Sequence, residues 1–228
     1  MNLTPDELAR YIDHTLLKPD AGKADIERLC REALAHRFFS VCVNSSRVVQ
    51  AAALLDGSPV KVSAVIGFPL GACDSDAKRY ETELAIDLGA QEIDMVINIG
   101  RLKDGEDKTV LRELRDVVEA ADGVPVKVIV ETGLLSLDEK IRACSLVVES
   151  GAKFIKTSTG FGPGGATVED IRLFREYAGE NMGIKASGGI RDFNFALALI
   201  EAGATRLGTS AGIAILEGLP GHGEAGAY

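Results

Sequence analysis

Histidine and cysteine are scarce in this chain, and neither is spaced to hold a metal. The three histidines are His14, His36 and His222, and the four cysteines, Cys30, Cys42, Cys73 and Cys144, include no CxxC pair. A structural zinc site draws its ligands from closely spaced pairs, so no metal site is expected. Cysteines scattered in this way read as buried free thiols. No apolar run approaches the roughly 20 residues needed to cross a bilayer, so no membrane span is expected. The opening Met1-Asn2-Leu3-Thr4-Pro5-Asp6-Glu7 lacks a basic region leading into an apolar core. A signal peptide is therefore not expected, and a cytoplasmic location is. Basic charge is in deficit too: 25 Lys and Arg against 34 Asp and Glu leave a net charge of −9. Broad nucleic-acid binding needs a basic footprint and is disfavoured. An anionic small molecule stays open, because backbone N–H groups can cradle a phosphate on their own.

What is present is a repeated pattern of strand and helix. The 228 residues, 46% hydrophobic and 26% charged, suit a single soluble domain with an ample core. Short, almost continuously apolar runs predict strands at 11–16, 38–43, 61–66, 92–97, 126–131, 153–157, 183–186 and 205–209, as in a parallel sheet covered by helices. Amphipathic stretches at 26–35, 77–88, 110–121, 138–149 and 194–202 lie between them. Thr4-Pro5-Asp6-Glu7 and Ser136-Leu137-Asp138-Glu139 read as capping boxes at helix starts. Leu88-Gly89-Ala90, Ser150-Gly151-Ala152 and Ala202-Gly203-Ala204 each stop a helix with glycine and lead into a strand. Eight strands interleaved with helices favour a single (β/α)8 barrel with a short N-terminal helix over an open doubly wound sheet. The barrel is expected to span residues 1–217, followed by a glycine-rich, mobile tail at 218–228.

Two lysines stand out against that scaffold. Lys156, in Phe154-Ile155-Lys156-Thr157, and Lys185, in Gly183-Ile184-Lys185-Ala186, each sit near the end of a short apolar run, just before a glycine-rich loop. An ammonium buried in a strand costs several kcal/mol, on the order of the desolvation of a charge, unless it is paired or neutralised. Two on successive strands suggest one neutral amine beside one charged one, which is the arrangement of a Schiff-base nucleophile. Taking both lysines as inward and applying the two-residue strand period collects further lining residues. These are Asp13 and Thr15, Cys42 and Asn44, Ser63, Asp94 and Asn98, and Lys127 with Glu131. Three acids, Asp13, Asp94 and Glu131, would then balance Lys127, Lys156 and Lys185. Lys127 and Glu131 read equally well as structural support or as direct participants, and Asp13 reads as support for a neighbouring lysine.

A second constellation follows the last two predicted strands. Ser187-Gly188-Gly189-Ile190 and Gly208-Thr209-Ser210-Ala211-Gly212 are turns in which backbone amides approach an anion without a Cβ in the way. Loops in these places commonly hold phosphate in such barrels. A third loop, Thr159-Gly160-Phe161-Gly162-Pro163-Gly164-Gly165, is placed to close over the same group.

The segments around Lys156 and Lys185, with 11–17, 92–98, 130–133 and 207–210, closely resemble the deoxyribose-phosphate aldolases, a class I aldolase family. The resemblance runs in order along nearly the whole chain. It implies that Lys156 forms the imine, that Asp94 and Lys185 relay protons, and that Gly160, Gly188, Gly189, Gly208 and Ser210 hold the 5-phosphate. It further implies reversible aldol cleavage of 2-deoxy-D-ribose 5-phosphate without metal or cofactor, in a homodimer or homotetramer. Some members carry a lysine where Phe161 stands here, which bears on phosphate affinity rather than on the reaction. A C-terminal tyrosine assists proton exchange in the family, and Tyr228 is the candidate for that role. Two alternatives stay open: another phosphosugar Schiff-base aldolase or transaldolase, and a catalytically silent phosphosugar-binding barrel.

Overall fold

A computed structural model describes residues 3–219 of the chain. Eight parallel strands close on themselves in sequence order, with β1 completing the ring against β8. They are β1 (Ile12–Leu16), β2 (Ser40–Asn44), β3 (Lys61–Ile66), β4 (Glu92–Val96), β5 (Val126–Ile129), β6 (Phe154–Lys156), β7 (Gly183–Ser187) and β8 (Arg206–Thr209). The α-helices are α1 (Pro5–Ala9), α2 (Lys23–Ala35), α3 (Val48–Leu55), α4 (Ser75–Asp87), α5 (Ile99–Lys103), α6 (Asp107–Ala120), α7 (Leu137–Ser150), α8 (Val168–Ala178), α9 (Phe193–Glu201) and α10 (Gly212–Glu217). The expected barrel and its short first helix are both present.

Local chemistry accounts for these elements. Both expected capping boxes form, Thr4 with Glu7 and Ser136 with Glu139, each satisfying two orphan N–H groups at a helix start. Outward strand residues such as Val41, Ala64, Ile93, Val128, Ile155, Ile184 and Leu207 are fully buried in one core beneath the helices. Each large aliphatic side chain buried there contributes roughly 1.5–3 kcal/mol. Cys30, Cys42 and Cys144 are buried free thiols as expected, whereas Cys73 is exposed. Burial pushes the thiols of Cys30 and Cys144 up to about 11, so both stay protonated and inert at neutral pH.

Most strand boundaries shift from expectation by a residue or two, and at three of them the backbone shows why. The predicted start at 38 is delayed because Arg37 turns left-handed (φ 54°) and Phe38 N–H donates to Ala33 O at 3.0 Å, still closing α2. The predicted end at 131 retreats to Ile129 because Glu131 is itself left-handed, at φ 55°. At β4 the strand stops at Val96, and Asn98 becomes the cap of α5, its side chain accepting from Arg101 N–H at 3.2 Å. Asn98 is therefore a helix cap and not a barrel-lining residue. α10 ends at Glu217, and most of the expected tail, including Tyr228, lies outside the described residues.

Candidate active site

Register and alternation bring the inward side chains of the strands into one cluster. Asp94 pairs across the ladder with Lys127, Lys156 with Lys185, and Lys185 with Arg206. Asp94 sits at the centre. Its Oδ2 accepts from both Lys156 Nζ and Lys185 Nζ at 2.7 Å, and its Oδ1 accepts from Lys127 Nζ at 2.8 Å and Ser63 Oγ at 2.9 Å. Lys185 reaches a second carboxylate, Asp13, at 2.5 Å. Lys127 reaches Glu92 at 2.8 Å. Arg206 ties Asp13 (2.9 Å) to Glu92 (3.1 Å), and Ser40 Oγ donates to Asp13 at 2.6 Å. Beneath the guanidinium lies the ring of Phe39, 3.4 Å from its central carbon.

The charges in this cluster do not cancel if every group is ionised. Three carboxylates (Asp13, Glu92 and Asp94) face four cations (Lys127, Lys156, Lys185 and Arg206). An uncompensated charge in such a site is expensive, so one cation is under pressure to give up its proton. Lys156 is the least well held, because its one carboxylate oxygen is shared with Lys185, whereas Lys127 and Lys185 each contact two carboxylates. Burial, aided by the Lys185 cation and opposed by Asp94, lowers the Lys156 pKa below the ordinary lysine value. For Lys185, burial works the same way, but Asp13 and Asp94 outweigh it and raise its pKa. Lys127 is raised likewise: Asp94, with Glu92 and Asp13, outweighs burial and the repulsion of Lys185. Burial opposes ionisation of Asp94, yet the three lysines hold its carboxyl well below the usual range. A Lys156 that gives up its proton keeps its contact with Asp94, as a neutral amine donating to a carboxylate.

Access separates the lysines as well. Lys127 and Lys185 are wholly buried, whereas Lys156 forms part of the wall of a cavity of about 290 Å³ at the C-terminal mouth of the barrel. The ends of β1, β7 and β8 and the loops after β6, β7, β8 and β1 make the rest of that wall. All five residues expected to hold phosphate line it: Gly160, Gly188, Gly189, Gly208 and Ser210. Gly208 serves the cluster too, since a Cβ there would stand 3.0 Å from the Lys185 stem. Thr15 and Ser187 contribute hydroxyls, and Lys18 and Arg191 contribute charge. Among the described residues, no aspartate or glutamate lines the cavity. In a chain of net charge −9, that is a local reversal suited to an anion.

The remaining expected residues fall in different places. Asp13 and Lys127 belong to the charged cluster. Cys42 is inward and buried, packed with Leu17 and Val65 in a small apolar group that Phe68 covers. Burial and the nearby Asp94 carboxylate raise its thiol pKa. Asn44 donates to Leu17 O at 3.3 Å and steadies the loop after β1. Glu131 does not join the lysines. Its left-handed backbone turns the side chain to Thr159, whose N–H donates at 3.2 Å and whose hydroxyl also donates. It thereby organises the loop after β6, where a Cβ on Gly162 would collide with its carboxylate at 2.8 Å. The acids and bases thus pair differently from the expected set of six, with Glu92 and Arg206 in place of Glu131. Strand alternation placed Glu92 two residues before Asp94, and Arg206 two before Gly208, so the period that found Asp94 also pointed to them. Lys18 and Arg191 lie in loops, where no periodicity operates.

Comparison with known proteins agrees with this geometry. Residues 8–218 match the model of the DeoC/LacD family aldolases. A deoxyribose-phosphate aldolase of Alkaliphilus oremlandii is 58% identical over 210 residues, covering 92% of this chain and 95% of that protein. Another, from Bdellovibrio bacteriovorus, is 58% identical over 212 residues, covering 93% and 96%. Among solved structures, the tetrameric deoxyribose phosphate aldolase of Aeropyrum pernix superposes with a TM-score of 0.88 at 34% identity, over 94% of this chain and 91% of that one. A (β/α)8 barrel with a lysine-rich interior, matched along almost its full length, places this chain in the DeoC/LacD family of aldolases.

Proposed function

We propose that the protein cleaves 2-deoxy-D-ribose 5-phosphate reversibly to D-glyceraldehyde 3-phosphate and acetaldehyde through an imine on Lys156. The observation that carries this reading is the division among the lysines: Lys156 alone of the three opens on the cavity, and it alone is pushed towards the neutral amine. The amine attacks C1 of the open-chain aldehyde, and loss of water gives an iminium. The hydroxyl proton on C3 departs, the C2–C3 bond breaks, and its electron pair moves through C2 and C1 onto nitrogen as an enamine. Glyceraldehyde 3-phosphate leaves. Protonation of the enamine at C2 and hydrolysis release acetaldehyde and the free lysine. Asp94, joined to both Lys156 and Lys185, is the group through which protons pass between amine and substrate. Asp13, Lys127, Glu92 and Arg206 hold that pair in place.

The same reading assigns the phosphate to the loops carrying Gly160, Gly188, Gly189, Gly208 and Ser210. It gives the chain no cofactor, a cytoplasmic location and a homodimeric or homotetrameric state. The tetrameric relative from Aeropyrum pernix supports the assembly. Borohydride reduction in the presence of acetaldehyde, followed by mass spectrometry of the peptides, tests the assignment. An ethyl group on Lys156, with turnover lost in Lys156→Ala, is expected. An adduct on Lys185 with Lys156 unmodified would overturn it. A transaldolase would instead be marked by transfer of a three-carbon unit, and a silent barrel by no adduct at all.

A further inference from the structure

The loop after β8 supplies amides and a hydroxyl but no charge, and the loop after β7 brings a single cation, Arg191, to the cavity wall. The loop after β6 reaches the cavity with Gly160 and Phe161, and Phe161 stacks edge-on to Phe68 at 5.4 Å, so that side of the rim is apolar. The opposite flank belongs to the loop after β1. In the closed ring β1 is the neighbour of β8, so the order around the cavity is β6, β7, β8, β1. Lys18 lines the cavity from that flank.

The backbone that carries Lys18 is fastened on both sides. Before it, Leu17 is keyed into the apolar group with Cys42 and Val65, and its carbonyl accepts from Asn44. After it, Ala21 N–H donates to Lys18 O at 3.2 Å, and the Ala21 carbonyl accepts from Arg47 at 2.8 Å. Asp25 feels the Lys18 charge only as the last of its influences, the Gly22 amide and Arg28 holding that carboxylate first. A cation thus stands on a fastened loop, in the wall of a cavity that no carboxylate among the described residues lines.

We propose that Lys18 is a specificity residue that recognises the substrate's phosphate, supplying from the first loop the charge that the Phe161 rim lacks. The inference rests on the phosphosugar reading above. It predicts that Lys18 separates phosphorylated from unphosphorylated sugar while leaving the chemistry at Lys156 alone. The test compares Lys18→Met and Lys18→Arg with the parent protein on 2-deoxyribose 5-phosphate and on 2-deoxyribose. A charge-assisted hydrogen bond at a partly open rim corresponds to about a tenfold change. Lys18→Met is expected to raise KM for the phosphorylated sugar by that factor with kcat little changed, and to weaken competitive inhibition by inorganic phosphate equally. KM for 2-deoxyribose should not move, and Lys18→Arg should keep the parent values. Equal effects on the two sugars, or none on the phosphorylated one, would overturn the proposal. If the parent protein fails to cleave 2-deoxyribose 5-phosphate at all, it is the underlying reading that fails. Lys18 is exposed, and matching thermal melts for the variants confirm that the fold is intact.

Discussion

Replacing Lys185 with leucine tests how the reactive amine is tuned. Lys156 and Lys185 both lie 2.7 Å from the same oxygen of Asp94, so their nitrogens are at most about 5.4 Å apart. At an effective dielectric of about 20, two positive charges at that distance repel by roughly 3 kcal/mol. Losing the Lys185 charge relieves that repulsion and leaves Asp94 Oδ2 to Lys156 alone. The charge count points the same way. Without Lys185, three carboxylates face Lys127, Arg206 and Lys156, and the cluster balances only if Lys156 is protonated. The sign follows: the Lys156 pKa rises, and less free amine is present at any neutral pH. A shift of that size corresponds to roughly a hundredfold drop in the free-amine population. The assay is the rate of borohydride trapping with acetaldehyde as a function of pH. The midpoint should move up in Lys185→Leu, with trapping slow at pH 7 and recovering in alkali. Turnover is no substitute, since leucine would also interrupt the proposed proton path. An unmoved midpoint in a folded variant would show that burial alone tunes Lys156 and would refute the charge-balance argument.

Two other outcomes follow from the same geometry. Activity should survive prolonged treatment with EDTA, because in the proposed mechanism the iminium on Lys156 is the electron sink; loss of turnover restored by added zinc would point to a metal-dependent mechanism instead. Ser210→Asp puts a carboxylate into the wall shared with Lys18 and Arg191, where one unit charge about 6 Å from a phosphate repels by roughly 1–3 kcal/mol. KM for 2-deoxyribose 5-phosphate should then rise about tenfold while that for 2-deoxyribose stays put, and parallel changes on both sugars would place the phosphate elsewhere.

Much of this architecture is written in local pattern. Apolar runs of five or six residues, glycine stops and two capping boxes specify strand and helix without reference to anything distant. The two-residue period assigns Asp13, Asp94, Lys127, Lys156 and Lys185 to one face, because a strand cannot turn alternate residues the same way. That period fails where the backbone leaves the extended region. At Glu131 a left-handed φ sends the carboxylate to Thr159, and at Asn98 a helix start takes the side chain as its cap. Which charges pair is a matter of closure. Arg206 meets Asp13 across 193 residues of chain, and Lys185 meets Asp94 across 91, because β8 returns to β1 and the ring is small enough for side chains to cross it. Access is likewise tertiary. Lys156 and Lys185 sit opposite one another in adjacent strands, yet only the first opens on the cavity that four separate loops enclose. Sequence by itself determined the elements and the inward face, since both depend on neighbours along the chain. The tertiary structure alone decided which lysine is short of a counter-charge and within reach of a carbonyl, since both depend on groups that only the closed barrel brings together.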